Sequence, residues 1–103
     1  MKTIILNTGG YSDKVIQAVW NKATIVPDRN PDKVRKDANG AWIHRDKYGD
    51  TSYNTNNGWE IDHIKPTSKG GLNILSNLQP LQWANNRSKG NDYPLWNYSI
   101  TAA

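Results

Sequence analysis

The sequence predicts one small α+β domain with irregular loops and an N-terminal extension made of a strand and a helix. Its 103 residues can build one compact core, which argues against a two-domain enzyme. Strand patterns and helix patterns alternate along the chain without a repeat or a low-complexity run. Because there is no cysteine, disulfide bonds and thiolate zinc sites are both excluded, and packing must stabilise the domain.

The N-terminal extension is predicted from an apolar run and a capped amphipathic pattern. MKTIILN has the composition of a short strand and is followed by Gly9 and Gly10. Ser12 can cap a helix whose buried face would comprise Val15, Ile16, Val19 and Trp20. The apolar run is too short for a secretory signal and no segment approaches membrane-spanning length, so we expect a cytoplasmic protein without membrane contact.

The central part of the chain predicts loops around two strands. Residues 23–39 mix prolines with alternating charges, which favours a loop with at most one helical turn near PDKVRKD. AWIHR and WEIDHI each show a strand pattern. The turn-rich DKYGDTSYNTNNG between them predicts an irregular hairpin.

The last part of the chain predicts a loop, a short strand and a helix. Residues 65–76 contain a Gly-Gly pair and form the loop, and NLQPL is a short extended segment. QWANNRSK then predicts a helix that ends at Gly90. This order of elements carries the polar residues on which the functional argument depends.

The composition favours a polyanionic partner. Thirteen Lys and Arg against nine Asp and Glu give a formal charge of +4 and a pI near 9.4. Five Trp and five Tyr without any Phe mean that the large rings carry a polar group as well as apolar area. A basic pI alone does not identify the partner, so the argument turns to the motifs.

The stretch DHIKPTSKGGLNILSNLQPLQWANNRSKG closely resembles the HNH nuclease motif. That motif places Asp-His at a strand end, then a Gly-containing loop, Asn-Leu, and an Asn or His on a helix before a basic residue. The resemblance covers residues 58–91, about a third of the chain, and RDKYG with GWEIDH is similar to small stand-alone bacterial and phage HNH proteins. It implies a ββα-metal (His-Me finger) core, with residues 1–103 as a single HNH nuclease domain.

The same residues suit phosphodiester hydrolysis on chemical grounds. The reaction needs a deprotonated water, neutralised charge on phosphorus and the leaving oxygen, and in-line placement of all three. His63 can take the proton, because a histidine pKa of about 6.5 leaves it largely neutral at about pH 7 to 8. Asp62 and Asn86 offer hard oxygen ligands, which suit Mg²⁺ first and Mn²⁺ second. In a regular strand Asp62 and His63 point to opposite faces, so one site can use both only if the strand bends or ends there.

The resemblance gives roles to the remaining polar residues. Asn77 would tie the loop that carries His63 by hydrogen bonds from its side chain to the backbone, for which an amide has both a donor and an acceptor. Residues 64–91 contain four cations and no carboxylate, a local field that should attract a phosphate backbone. The expected nucleic-acid contacts are Lys65, Lys69, Arg87 and Lys89.

The sequence departs from the family in two respects. Many HNH domains brace the motif with two CxxC zinc pairs, which are absent here, so aromatic packing must replace them. The expected bracing rings are Trp42, Trp59, Trp83 and Trp96. Asn86 stands where many relatives have His, which shifts the expected ion from a transition metal toward Mg²⁺.

Structural roles compete with each functional assignment. His63 could be a hydrogen-bonded interfacial histidine, and Asp62 could belong to a salt bridge. Asn86 is preferred over Asn85 by motif spacing alone. His44 has no motif support, so a structural role or a peripheral phosphate contact is expected for it. A solvated charged loop is preferred to a DNA clamp for Arg29, Lys33, Arg35 and Lys36.

We expect a metal-dependent DNA endonuclease, a hydrolase that acts on double-stranded DNA as a nickase or a weakly specific cutter. Specificity or double-strand cleavage would require a protein partner or a homodimer, because few elements remain to bind base edges. The alternative is a catalytically silent nucleic-acid-binding module of the same fold in a phage packaging or defence complex. A nuclease toxin would share the chemistry and differ in biological role.

Overall fold

The computed structural model describes residues 10–94, which form two helices and two small antiparallel sheets. The strand predicted for MKTIILN and the ring of Trp96 lie outside these residues. The helices and strands, in chain order, are α1 (Asp13–Trp20), β1 (Val34–Lys36), β2 (Trp42–His44), β3 (Trp59–His63), β4 (Leu78–Gln82) and α2 (Trp83–Lys89). This architecture confirms the predicted α+β class.

Helix α1 forms as its sequence pattern predicts. The Ser12 side chain accepts a hydrogen bond from the Val15 backbone N–H at 3.3 Å and so caps the first turn. Ile16, Val19 and Trp20 are buried on one face. The i, i+3 and i+4 spacing of these side chains turns that face toward the rest of the core.

Strand β1 is a correction to the loop predicted for residues 23–39. Val34–Lys36 pairs with β2 in antiparallel register, with Arg35 opposite Ile43. Arg35 is buried and donates hydrogen bonds to the backbone carbonyls of Pro31, Asn21 and Ala23. An inward-facing arginine satisfied by backbone carbonyls takes the place of an apolar residue here, which is why the pattern of alternating charges concealed a strand.

The predicted hairpin between AWIHR and WEIDHI is also wrong. Both segments are strands, but β2 pairs with β1 while β3 pairs with β4. The β3–β4 register joins Trp59 to Gln82 at one end and His63 to Leu78 at the other. The connection between β2 and β3 makes a short 3₁₀ turn at Arg45–Lys47 and approaches β3 through the single bridge between Tyr48 and Trp59.

The aromatic side chains organise the core around Trp20 and Trp59. Their ring centroids are 5.4 Å apart, and Tyr48 meets the Trp59 ring edge-on at 4.9 Å. Trp83 is buried as expected and packs edge-on against Tyr53. Trp42 is only half-buried, and the cations of Arg29 and Lys36 lie over its ring at 5.4 and 4.6 Å.

Helix α2 begins directly after β4 ends, with no loop between them. The Gln82 side-chain oxygen accepts from the backbone N–H groups of Ala84 and Asn85, and the helix ends at Gly90, as predicted. This direct junction keeps α2 against the sheet formed by β3 and β4. Within residues 10–94, neither helix has the length and apolar character needed to cross a bilayer.

A buried carboxylate connects the two sheets. Asp37, which is 2% exposed, accepts hydrogen bonds at Oδ1 from the backbone N–H groups of Asn39 and Ala41, both at 2.9 Å. Its Oδ2 accepts from the Gln82 backbone N–H at 2.9 Å and from the Asn85 amide at 3.0 Å. The turn between β1 and β2 is thereby fixed to the junction of β4 and α2.

Replacing Asp37 with Ala should lower the free energy of unfolding by about 3 kcal/mol or more, because it leaves several buried donors without an acceptor. Urea denaturation monitored by tryptophan fluorescence measures the difference. Asp46→Ala, at an exposed carboxylate on the β2–β3 connection, is the matched control and should change stability by less than about 0.5 kcal/mol. Equal effects of the two substitutions would show that the Asp37 contacts contribute little.

Candidate active site

Three of the predicted site residues, Asp62, His63 and Asn86, line one open cleft at the end of β3, whereas Asn77 does not line it. The cleft has a volume of about 220 Å³. It lies between the strand end, the first turn of the following loop and the last part of α2. The lining residues are Ile61, Asp62, His63, Pro66, Thr67, Asn86, Gly90 and Asn91.

The strand geometry allows Asp62 and His63 to line the same cleft. β3 ends at His63, after which the chain enters a loop that starts with a 3₁₀ turn at Thr67–Lys69. Asp62 faces α2 and the neighbouring strand, whereas the His63 ring turns to the loop side, where it meets Asn73. The condition set by the sequence, that the strand must bend or end here, is therefore met.

Asp62 is 7% exposed and lies among polar partners. Its Oδ2 accepts from the Gln79 amide at 2.9 Å, from the residue opposite it in the strand pair. The Lys89 ammonium lies 3.3 Å from Oδ1 and 3.2 Å from Oδ2. Burial raises the pKa of Asp62, and the hydrogen bond from Gln79 and the charge of Lys89 oppose that rise.

The His63 ring is held by the loop. Its Nε2 lies 2.9 Å from the Asn73 amide oxygen, and the Tyr11 hydroxyl donates to the same oxygen at 3.0 Å. Sequence reasoning missed both partners, because Asn73 stands at a position of the motif stretch to which the pattern gives no role, and Tyr11 lies outside that stretch. Gln79 was missed as well, although the register of an antiparallel pair would place it beside Asp62 once NLQPL was paired with WEIDHI.

Asn77 bridges the two sides of the loop between β3 and β4, residues 64–77, which we call the site loop. Its amide nitrogen donates to the carbonyls of Lys65 and Leu72 at 3.0 and 2.9 Å, and its amide oxygen accepts from the Lys65 N–H at 2.9 Å. Gly71 permits this closure, since a Cβ there would lie 1.7 Å from the Lys65 carbonyl oxygen. The contacts are of the side-chain to backbone type expected for Asn77.

The two adjacent asparagines of α2 face in different directions. Asn85 is fully buried and donates to Asp37, whereas Asn86 lines the cleft. The Asn86 amide nitrogen donates to Glu60 at 3.0 Å, so the amide oxygen is the atom of this side chain that could bind a metal ion. The positions of the two side chains on α2 therefore favour Asn86 over Asn85 as the candidate metal ligand, as motif spacing also does.

The four predicted phosphate contacts fall into two groups. Lys65 and Lys69 are exposed on the site loop. Arg87 is exposed but pairs with Glu60 at 2.9 Å, and this partner raises the pKa of its guanidinium. Lys89 is 4% exposed and donates to the His63 carbonyl at 3.0 Å in addition to its contact with Asp62. Carboxylates of β3 therefore offset two of the four cations, which the count over residues 64–91 did not include.

The four cations between residues 29 and 36 are not among the residues that line the cleft. The solvated loop predicted for these cations is wrong for Arg35, which is buried in β1 and donates to backbone carbonyls, whereas Arg29 and Lys36 lie over the Trp42 ring. His44 lies at the end of β2, where its backbone N–H donates to the Asn57 carbonyl. It is not among the residues that line the cleft.

The donor set of the cleft fits an open site for a hard divalent ion. Asp62 and Asn86 offer a carboxylate oxygen and an amide oxygen, and Mg²⁺ commonly binds through one or two protein oxygens together with phosphate oxygens and water. Within residues 10–94, no group of three or more His, Asp or Glu side chains lies close enough to enclose a metal. Substrate and water would thus supply the remaining ligands.

The family comparison agrees with this geometry. Residues 44–92 match the family model described as HNH endonuclease, whereas no curated protein and no solved structure matched the chain. The match extends from the end of β2 through α2 and includes every residue proposed for the cleft. HNH domains indicate a nuclease-type function on nucleic acids and typically use a divalent metal. Residues 44–92 of this chain match the HNH endonuclease family; β3, β4 and α2 lie within this range, and the small α+β structure is consistent with the ββα-metal fold.

Proposed function

We propose that this protein is a metal-dependent endonuclease that hydrolyses phosphodiester bonds of DNA by attack of a water molecule. The observation that carries the proposal is the shared cleft of Asp62, His63 and Asn86, which combines a base with two oxygen ligands. A nuclease needs these groups within reach of one phosphate. The end of β3 carries Asp62 and His63, and α2 carries Asn86.

His63 is the proposed general base. Its imidazole can accept the proton of the attacking water, and a fixed ring has less orientational freedom to lose in the transition state. The contact with Asn73 fixes the ring, and Asn77 fixes the loop backbone that carries it. Asn77 therefore acts on catalysis by holding the loop.

Asp62 and Asn86 are the proposed metal ligands. A bound divalent ion would stabilise negative charge on the phosphate. Asp62 must be ionised to bind the ion, and the contacts from Gln79 and Lys89 stabilise its ionised form against the effect of burial. Glu60 orients the Asn86 amide, so its nitrogen side is engaged and its oxygen side serves as ligand.

Lys65 and Lys69 on the site loop, together with Arg87 on α2, are the proposed phosphate contacts outside the cleft. Lys89 is buried, and its ammonium instead neutralises Asp62. Contacts of this kind position duplex DNA without reading its sequence, so the enzyme is proposed to nick or to cut with weak specificity.

A second candidate is a DNA-binding module of the same fold without turnover. The contact between Lys89 and Asp62 favours it, because an ammonium beside both carboxylate oxygens opposes a divalent cation by charge repulsion. The two candidates share the DNA-binding surface. They differ in whether a metal ion converts binding into cleavage.

Cleavage of supercoiled plasmid should require a divalent ion and be supported by Mg²⁺ or Mn²⁺, because the proposed ligands are hard oxygens. Gel analysis of supercoiled, nicked and linear DNA separates a nickase from a double-strand cutter. Undiminished cutting in excess chelator contradicts the metal assignment. DNA binding without products under any of these ions supports the silent module.

His63→Ala should lower the cleavage rate by on the order of 10²-fold or more, the range for loss of a positioned base. DNA affinity and melting temperature should change little if the role is chemical. The matched control is His44→Ala, which changes the other histidine of the chain outside the cleft and should retain most activity.

Asn77→Ala provides the contrast, because it should lower cleavage rate and thermal stability together through loss of three loop hydrogen bonds. Folded His63→Ala protein that cuts at nearly the parent rate at pH 8 would exclude the general-base role. A drop in melting temperature and DNA affinity along with rate would identify His63 as a structural residue.

The double variant Lys65→Ala/Lys69→Ala should weaken duplex DNA binding with no dependence on sequence. If each lysine contacts one phosphate, the slope of log affinity against log salt should become shallower by about 2. Lys14→Ala, which removes an exposed cation of α1, is the control and should leave the slope unchanged. Identical slopes for the parent and the double variant would remove the site loop from the DNA interface.

A further inference from the structure

One amide oxygen connects the His63 ring to the segment that precedes α1. Asn73 Oδ1 lies 2.9 Å from His63 Nε2 and 3.0 Å from the Tyr11 hydroxyl. Asn73 comes from the site loop and His63 from the end of β3, and Tyr11 packs against the core cluster that contains Trp20. The residue that touches the ring is thus itself held by a residue anchored in the core.

The chemistry of this contact specifies where the imidazole proton lies. An amide oxygen accepts hydrogen bonds and cannot donate them, so the contact requires a proton on His63 Nε2. A neutral imidazole with its proton on Nε2 has its lone pair on Nδ1. The nitrogen that can take a proton from water is therefore Nδ1.

Tyr11 fixes the orientation of the Asn73 amide. Its hydroxyl donates to Oδ1, so the oxygen and not the amide nitrogen is directed to the point shared by Tyr11 and His63. Burial raises the pKa of Tyr11, with a further rise from Tyr48, which keeps the phenol protonated and able to donate. An amide turned the other way would lose both hydrogen bonds.

We propose that Asn73, oriented by Tyr11, is a positioning residue that holds His63 with its proton on Nε2 and reserves Nδ1 for proton transfer. The consequence for cleavage rests on the proposed role of His63 as general base, whereas the hydrogen bond itself does not. Asn73 contacts the His63 ring itself, whereas the hydrogen bonds of the Asn77 side chain go to backbone atoms of the loop.

The nearby charged groups do not replace this contact. Lys89 donates to the His63 backbone carbonyl, and the neighbouring Asp62 carboxylate is engaged by Gln79 and Lys89. Both act on other parts of the strand end. Substitution of Asn73 therefore changes the ring contact while leaving these partners in place.

The test is ¹⁵N NMR of the labelled full chain without metal at about pH 8, where an ordinary histidine is neutral. His44→Gln protein assigns the two imidazole rings. The expected result for the parent protein is a proton on His63 Nε2 that exchanges with water slowly enough to be observed. In Asn73→Ala this proton signal should be lost to exchange, whereas Asn73→Asp, which keeps an acceptor oxygen, should retain it.

Tyr11→Phe should accelerate exchange of the same proton, because the amide loses the donor that orients it. Tyr53→Phe is the control, since it also removes one tyrosine hydroxyl, but the Tyr53 ring packs against Trp83 and takes no part in the contact between His63 and Asn73. The control should leave the exchange rate as in the parent.

In cleavage assays, Asn73→Ala should lower kcat and kcat/KM alike, by on the order of 10-fold, with KM unchanged. Asn73→Asp should recover part of this loss. A proton on Nδ1 of parent His63, or an unchanged signal in folded Asn73→Ala, overturns the proposal. If Asn73→Ala does not fold, the parent spectrum and Tyr11→Phe decide.

The NMR result does not depend on cleavage. A protein that shows the protected Nε2 proton but never cuts DNA refutes the proposed enzyme and leaves the Asn73 contact established. A protein that cuts DNA while carrying the proton on Nδ1 refutes the positioning role and leaves the enzyme established.

Discussion

The carboxylate of Asp37 is the contact on which the arrangement of the two sheets depends. Two-stranded sheets bury little apolar area, so neither sheet is independently stable and each must be fixed to the other. Asp37 satisfies backbone groups of its own turn with one oxygen and of the β4–α2 junction with the other. The junction is also where Gln82 caps α2. One buried acceptor thereby determines where the helix that carries Asn86 begins.

Strand β3 divides its side chains between the core and the candidate active site. Trp59 faces the core cluster, while the alternating residues Glu60 and Asp62 face α2. Two side chains of α2 form ion pairs with these carboxylates: Arg87 pairs with Glu60, and Lys89 pairs with Asp62. Removing either member of the buried pair would leave an uncompensated charge in a region of low dielectric, which is costly. The carboxylates of β3 therefore constrain the residues on the polar face of α2 as strongly as a core constrains an apolar face.

The sequence was sufficient for elements with a local signal. The cap at Ser12, the apolar face of α1 and the Gly90 stop all act within one or two helical turns, so their patterns are readable without the fold. Long-range pairing was not readable in the same way. The hairpin prediction failed because a turn-rich connection indicates only that the chain reverses, and the partner of β3 lies in NLQPL beyond the site loop. Strand β1 was missed because its buried residue is Arg35.

The candidate active site shows the same contrast between local and long-range information. Its motif residues could be predicted because their types and order are specific, and the structure brings Asp62, His63 and Asn86 to one cleft. The partners that set their properties come from distant parts of the chain. Glu60 and Asp62 lie outside the window in which the four cations were counted, and Tyr11 is 62 residues from Asn73. The charge balance of the cleft and the orientation of the His63 ring depend on contacts between residues that are distant in the sequence, and the spacing of a motif does not encode such contacts.

The strand end that the site requires is made possible by the amide of Asn77. The Ile64 backbone N–H donates to the Asn77 carbonyl, continuing the β3–β4 ladder by one bond beyond His63. At the next position the side chain takes over, accepting from the Lys65 N–H and donating to the Lys65 carbonyl as a backbone amide would. Aspartate lacks the donor and leucine lacks both groups, so asparagine is the residue that ends a strand here without leaving backbone groups unpaired. The regular ladder thus ends one residue beyond His63, and the Asn77 side chain satisfies the Lys65 backbone groups that follow. Asp62 and His63 can then line one cleft at this strand end.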